Sequence, residues 1–486
     1  MTAEFLVSVI AVGIFAFGLY ITRIGQTARN VSQNAYHGIA TMMDAQMTDE
    51  DKEIAVRRAG IALLIGAWSI CWRFALCFFF TYAIIYLADW LHIASEGETI
   101  DLMLRPDYII LVSLAVITAV WLLGRQWPDA DKLNNELSYS TGERILHMMA
   151  FASPTLQRLA ARVDDAAFRL FHRNIEYRPP IFITSLARGG TTALLNALCE
   201  LPSVASHTYR DMPFITAPYL WNRLGGPFRG QVARKERAHG DGLEIDLDSP
   251  EAFDEVYWKL YWPEKYDEGR ISIWQEDDLQ GEGASRLQMC FQKVPYLRGR
   301  INAHYLSKNN LNIARLRVIR KTFPCAQIVV PIRRPAPHAA SLLRQHQNFM
   351  EQHSNDDFVR RYMRDIGHLE FGLLHTPIAF EGFDSTAYSP DSPDYWLAYW
   401  IAAFREVLAC ADFCHIVLQD ELRSSATPCM HQLLAKLGLD SDEQDFTRYF
   451  RSESDETDRS VFSSRLLAEA DALYSELAGK GIIGGR

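Results

Sequence analysis

At 486 residues, with 49% hydrophobic, 12% aromatic and 22% charged side chains, the chain exceeds one average domain and has ample apolar material for a core. A formal net charge of −10 and a pI near 5.8 exclude the broadly basic surface of a non-specific nucleic-acid binder, but not a local basic pocket for an anion. The eight cysteines form no CxxC and no paired framework, which suits free thiols in a reducing compartment; Cys410 and Cys414 read as core thiols rather than metal ligands.

In chain order, three stretches of the first quarter read as membrane spans. Phe5 to Thr22 is uncharged over 18 residues, close to the ~20 that a helix needs to cross. Gly60 to Ala88 is apolar except for Arg73. At ~1.5 Å per residue it outruns a ~30 Å hydrocarbon core, so Arg73 can snorkel to an interface or meet a lipid headgroup. Tyr108 to Gly124 is framed by Asp107 and Arg125. The leading MTAE lacks the positive charge of a secretory signal. Arg23, Arg29, Arg57 and Arg58 lie between the first two spans and Arg125 follows the third, whereas Asp89, Glu96, Glu98 and Asp101 face a single Arg105 between the second and third. The positive-inside bias then predicts an integral membrane protein with its N-terminus outside and everything after Arg125 in the cytoplasm.

The expected organisation is a transmembrane region over 1–128, a helical connector over 129–178, an α/β domain over 179–440 and a C-terminal helical extension over 441–486. In the connector, Ile145, Met148, Met149 and Leu156 are spaced like one buried stripe. Arg178-Pro179-Pro180 ends it, because proline cannot continue a helix. Beyond it strands alternate with helices. Strands are expected at Ile181–Thr184, Gln327–Ile332 and His415–Leu418, and helices at Thr191–Leu201, Leu311–Thr322, Ala339–Phe349 and Trp396–Phe413. That alternation predicts an α/β fold: a P-loop-like, three-layer domain with a central parallel sheet, preceded by about three transmembrane helices. The acidic run from Glu244 to Glu255 reads as a solvated face, and Trp258, Tyr261 and Trp262 as core aromatics or the lining of a sugar or lipid site.

Ser185-Leu186-Ala187-Arg188-Gly189-Gly190-Thr191-Thr192 follows a predicted strand and opens a predicted helix. In that context backbone amides and the helix dipole face an anion. Gly189 and Gly190 admit close approach, Thr191 and Thr192 add hydroxyls, and Arg188 adds a fixed charge. It is not a Walker A loop, since the first glycine and the lysine of GxxxxGK[ST] are missing. Farther on, Ile328-Val329-Val330-Pro331-Ile332-Arg333-Arg334-Pro335 is a buried strand ending in arginine, with Ser341 eight residues after Arg333. Such a pair can hold a second phosphate from two sides.

The two motifs in this order and spacing resemble those of the PAPS-dependent sulfotransferase superfamily. The first is similar to that family's 5′-phosphosulfate loop, PRSGTT or PKSGTT, and the second to its 3′-phosphate motif. Tyr305-Leu306-Ser307-Lys308-Asn309-Asn310-Leu311-Asn312 resembles the Lys-x-Pro segment of the bacterial and tyrosylprotein-type branch. Asp420 to Leu439, ending Lys436-Leu437-Gly438-Leu439, resembles that branch's C-terminal helix. The resemblance covers roughly 179–440. Two positions depart from the pattern: Gly189 stands where the loop usually has serine, and Asn310 where proline follows the lysine.

The resemblance implies 3′-phosphoadenosine 5′-phosphosulfate (PAPS) as donor and a hydroxyl-bearing acceptor, with no metal. It implies that Arg188 stabilises the transferring group, that Gly189, Gly190, Thr191 and Thr192 cradle the 5′-phosphate, and that Arg333 and Ser341 hold the 3′-phosphate. Lys308 adds positive charge near the sulfate. A base within hydrogen-bond reach of the acceptor is required, and His207 is chosen, with Asp211 and Glu251 next. An anchored enzyme suggests a lipid or lipid-linked sugar as acceptor. Two other readings stand beside this one: a nucleotide-binding membrane scaffold without activity, and a kinase, which the absent Walker lysine disfavours.

Overall fold

The computed structural model describes residues 3–22, 49–105, 107–108, 112, 141–172, 175–224, 235–236, 244–245, 247–251, 253–266, 269–440, 444–450 and 457–482. They fall into two compact units, Met1–Ala130 and Asp131–Arg486.

In the first unit, helices α1 (Ala3–Ile21), α2 (Asp49–Trp90) and α3 (Glu96–Leu104) pack through Val7, Ala11, Ile85, Ala88 and Ala94. Gly18 of α1 lies so close to Cys77 that a β-carbon there would stand 2.9 Å from its sulfur. Small residues allow this approach. Ile65–Trp90, 26 residues of mean hydropathy 1.8, is the one helix among the described residues long and apolar enough to cross a membrane; Ala3–Leu19 is a shorter apolar helix. The stretch expected at 108–124 lies outside the described residues except for 108 and 112. Arg73 donates from Nη1 to the Thr22 carbonyl at 2.9 Å, one of the oxygens that the end of α1 leaves without an intrahelical partner.

The second unit begins with α4 (Thr141–Ala150) and α5 (Pro154–Phe171). There follow β1 (Ile181–Ile183), α6 (Thr191–Cys199), β2 (Val204–Ala205), α7 (Pro218–Leu224), the two-stranded ribbon β3 (Lys235–Glu236) and β4 (Glu244–Ile245), α8 (Glu255–Tyr261), α9 (Glu282–Leu297), β5 (His304–Lys308), α10 (Leu316–Thr322) and β6 (Gln327–Ile332). The chain continues through α11 (Pro335–Asn355), α12 (Asp357–Ile366), α13 (Pro393–Ala409), β7 (Cys414–Leu418), α14 (Gln419–Ser424), α15 (Ala426–Leu437) and α16 (Ser464–Gly479). The main sheet runs β2-β5-β1-β6-β7, every pair parallel. Both its faces are covered. Ile181 and Ile183 of β1 pack with Leu194, Leu198 and Leu433 of α6 and α15, while Phe182 between them packs with Phe291 and Ile319 of α9 and α10. Side chains alternate across a strand, so continuous apolar strands are what a sheet buried on both sides requires. The expected three-layer α/β domain is present.

Two sequence expectations are corrected. The connector's stripe is not buried: Met148, Met149 and Leu156 are exposed, at 39%, 64% and 55%. Helix α5 instead buries Ala161, Asp164, Asp165 and Phe168, and the side chain of Ile145 lies outside the described residues. The true face was hidden because half of it is acidic; Lys293 of α9 neutralises Asp164 and Asp165 at 2.7 and 2.5 Å. Likewise the acidic run is not simply solvated. Asp248 is exposed, but Glu251, Asp254 and Glu255 are buried, each with a polar partner. Trp258 and Trp262 are core residues packed edge-on against Trp274.

Candidate active site

Parallel strands bring their C-terminal ends to one edge, and the register aligns Ile183 of β1 with both Lys308 of β5 and Val329 of β6. The loop after β1, Lys308 and Arg333 therefore meet at that edge, where open parallel sheets bind ligands. Arg188 (φ +65°) and Gly190 (φ +95°) both occupy the left-handed region, which turns the loop sharply into α6. A non-glycine residue held there stores strain of the kind concentrated at ligand sites.

The loop is anchored from below. The indole N–H of Trp400 on α13 donates to His338 Nδ1 of α11 at 3.2 Å, and His338 Nε2 lies 2.7 Å from the Ala187 carbonyl. Indole can only donate, so Nδ1 accepts and the ring's proton sits on Nε2, donating to the loop. Gly189 has no room for a side chain. A β-carbon there would stand 2.7 Å from Ser185 Oγ, 2.9 Å from the Leu186 carbonyl and 3.2 Å from the His338 ring. Ser185 Oγ is buried without a hydrogen-bond partner.

A cavity of about 350 Å³ opens over this edge. Arg188, Gly190, Thr191, Thr192, Lys308 and Arg333 all line it; Gly189 lies beneath, and Ser341 joins through its hydroxyl, which accepts from Arg188 Nε at 3.3 Å. With Arg423 and Arg448 the wall carries five cations against one carboxylate, Glu370. In a chain of net charge −10 this local reversal suits a polyanion. Lys308 is buried and paired with Glu251 at 3.3 Å. Asn310 bridges two parts of the wall: its Oδ1 accepts from Thr191 Oγ1 at 3.1 Å and its Nδ2 donates to Glu370 Oε1 at 3.1 Å. No cluster of metal-ligating side chains occurs among the described residues.

Residues 179–373 match the model of the Sulfotransferase family. The matched segment is similar to that family and contains the loop, Lys308, Arg333 and Ser341. Among solved structures, sulfotransferase STF1 from Mycobacterium tuberculosis H37Rv is 14% identical, with 67% of this chain and 84% of that one covered at a TM-score of 0.37. Sulfotransferase STF9 from Mycobacterium avium is 14% identical, with 74% and 95% covered at a TM-score of 0.27. Likenesses this low carry no argument about the site. No curated protein matches the chain.

The structure does not bring His207 to the cavity. Its ring is fully buried, with Nδ1 2.7 Å from Asp211 Oδ2 and Nε2 3.2 Å from Cys290 Sγ. Burial opposes a charged ring, but the Cys290 sulfur and the Asp211 carboxylate outweigh it and hold the imidazole up at about 10. Asp211 is also buried. Burial works to raise it, yet Arg298 at 2.5 Å and His207 hold it well below the usual carboxylate range. Spacing after the loop suggested a base, but β2 and the turn that follows it carry these residues into the core. Glu251 touches the cavity only through Lys308.

His207 is therefore expected to matter for folding. A raised folded-state value means that its stabilisation is complete below the ordinary value near 6.5 and is lost as pH rises through about 10. His207→Gln should cost about 2–4 kcal/mol in chemical denaturation at pH 7 and flatten that alkaline limb, while leaving nucleotide affinity unchanged.

Sequence reasoning missed Glu370, His368, His353, Arg448 and Tyr449, all on the cavity wall. Glu370 and His368 lie on an irregular segment and Arg448 and Tyr449 past the matched family segment, where periodicity gives no signal, while His353 near the end of α11 reads as an ordinary helix residue.

Proposed function

We propose that this protein is a membrane-anchored sulfotransferase that moves a sulfuryl group from PAPS to an acceptor hydroxyl at the cytoplasmic face. The observation that carries the reading is the cavity where the loop, Lys308 and Arg333 of the family-matched segment converge, with Arg423 and Arg448 from beyond that segment completing five cations. Sulfuryl transfer needs the acceptor and leaving oxygens in line and the departing charge neutralised. In this reading Arg188 and Lys308 face the transferring group, and the loop amides with Thr191 and Thr192 hold the 5′-phosphate. Arg333 with Ser341 takes the 3′-phosphate and so selects PAPS over ATP. The apolar helix Ile65–Trp90 supports anchoring, and the arginine distribution supports the cytoplasmic side. Three spans and a lipid or lipid-linked acceptor belong to the same proposal.

Calorimetric titration of the detergent-solubilised protein with 3′-phosphoadenosine 5′-phosphate, the spent donor, tests it. Expected are micromolar or tighter binding without magnesium, a clear preference over ATP, and a loss of about 10- to 100-fold in Arg333→Ala, the value of a charge-assisted hydrogen bond. Magnesium-dependent preference for ATP would overturn the reading in favour of a kinase.

A further inference from the structure

With His207, Asp211 and Glu251 all engaged away from the cavity or by a lysine, the reaction still needs a group to take the acceptor's proton. Two features of the cavity wall supply it. Glu370 is the wall's one carboxylate, and His368 beside it places Nδ1 3.6 Å from Glu370 Oε2. At that separation the contact is electrostatic rather than a hydrogen bond, and an imidazole beside a carboxylate on a cavity wall is the kind of group that serves as general base. Glu370 is itself fixed by Asn310, whose other amide atom meets Thr191 of the anion loop. One relay, Thr191–Asn310–Glu370–His368, thus ties the donor loop to the base.

The charges also divide the cavity. A bisphosphate nucleotide is drawn to Arg188, Arg333, Arg423 and Arg448 and repelled by Glu370. The remaining wall near Glu370 is formed by Phe349, Phe371 and His353, and the two phenyl rings stack at 6.0 Å. A small second cavity with Leu342 and Trp396 in its wall adjoins through Asn310, Glu370 and Phe371.

We propose that this end is the acceptor subsite, that His368 oriented by Glu370 is the general base, and that the acceptor is a neutral hydroxyl on a partly apolar body. This rests on the sulfuryl-transfer reading above. As the acceptor oxygen bonds to sulfur, the bond from sulfur to the bridging oxygen of the 5′-phosphate breaks. The electron pair leaves on the nucleotide, and the acceptor's proton passes to His368 Nε2. Glu370 is a positioning residue. Burial works to raise it, but His368 and Asn310 hold it down at about 2, so it stays ionised and disfavours an acceptor with its own anion beside the hydroxyl. His353 does not compete: burial first, then the charges of Arg360 and His346, push it down to about 4.

The test uses the full chain in nanodiscs with sulfur-labelled PAPS and three acceptor probes: water, n-octyl glucoside and n-octyl glucuronide. Glucoside is expected to be sulfated at least ~10-fold faster than glucuronide. His368→Gln should lower transfer to glucoside and water by about 10²- to 10⁴-fold. Glu370→Gln keeps the shape and should lower kcat on glucoside by about 10-fold with little change in KM, as expected for a positioning residue. His368→Gln should bind 3′-phosphoadenosine 5′-phosphate like wild type and Glu370→Gln at least as tightly, since a repelling carboxylate is removed, which checks folding. Wild-type rates in His368→Gln, or a wild-type kcat in Glu370→Gln, would overturn the base, and equal rates on the two glycosides would overturn the acceptor class. A wild-type protein that binds the nucleotide yet releases sulfate to none of the probes would also overturn the base. Failure to bind the nucleotide at all would instead sink the donor reading.

Discussion

Gly189→Ser, which restores the serine usual in the family's loop, is expected to abolish most nucleotide binding. The new β-carbon would press on the Ser185 hydroxyl, the Leu186 carbonyl and the His338 ring at once. Of these only the hydroxyl can be removed without moving backbone or the ring that anchors Ala187. Overpacking of this kind costs about 1–3 kcal/mol, and because the displaced atoms belong to the anion loop, the cost falls on affinity as roughly a 5- to 150-fold loss. Ser185→Ala alone should be mild, since its hydroxyl has no partner to lose. The double variant Ser185→Ala/Gly189→Ser should recover part of the affinity, and not all, because the Leu186 carbonyl still stands in the way. Titration of the four proteins with 3′-phosphoadenosine 5′-phosphate gives the coupling directly. If Gly189→Ser binds like wild type, the loop is not packed as described.

Arg315→Met is expected to be the most damaging single change to stability. Arg315 is fully buried, with Nη1 and Nη2 on the two Glu255 oxygens at 2.7 and 2.8 Å and further bonds to Asn312 and the Tyr266 hydroxyl. Its guanidinium also lies 4.5 Å from the Trp258 ring centroid. Methionine fills similar space but leaves the Glu255 charge buried and unpaired. Breaking one side of such a pair costs about 3–5 kcal/mol, whereas replacing both partners with apolar residues is often close to neutral. Arg315→Met/Glu255→Leu should therefore be more stable than Arg315→Met alone, as read from denaturant midpoints. The consequence reaches the site: Asn309 also bonds Glu255 at 2.6 Å, and it sits between Lys308 and Asn310 on the cavity wall. A double variant less stable than the single would show that the pair's hydrogen bonds, rather than its charge balance, hold this segment.

The sheet was legible in the sequence because it rests on local physics. Short apolar runs at 181–184 and 327–332, bounded by turn residues and alternating with helices, read as strands buried on both faces, and the glycine loop between β1 and α6 falls at the sheet's C-terminal edge as that reading requires. The connector failed for the opposite reason: α5 has an apolar stripe, Leu156, Leu159, Val163 and Leu170, that stays exposed, while the face it buries holds two aspartates against Lys293. His207 failed because distance along the chain says nothing of depth, and β2 carries it inward. Glu370 and His368 were invisible since a short Glu/His pair in an irregular segment gains meaning only when Asn310, sixty positions earlier in the chain, arrives beside it.

The Trp400–His338–Ala187 relay joins three residues separated by 151 and 62 positions in sequence. Only the last belongs to the loop, yet the hydrogen-bond polarity runs one way from an indole N–H to a loop carbonyl, and no member can reverse it. A change at Trp400, on α13, is thus felt as a change in the loop's backbone, and the geometry of the loop is set as much from α13 and α11 as from the loop's own residues.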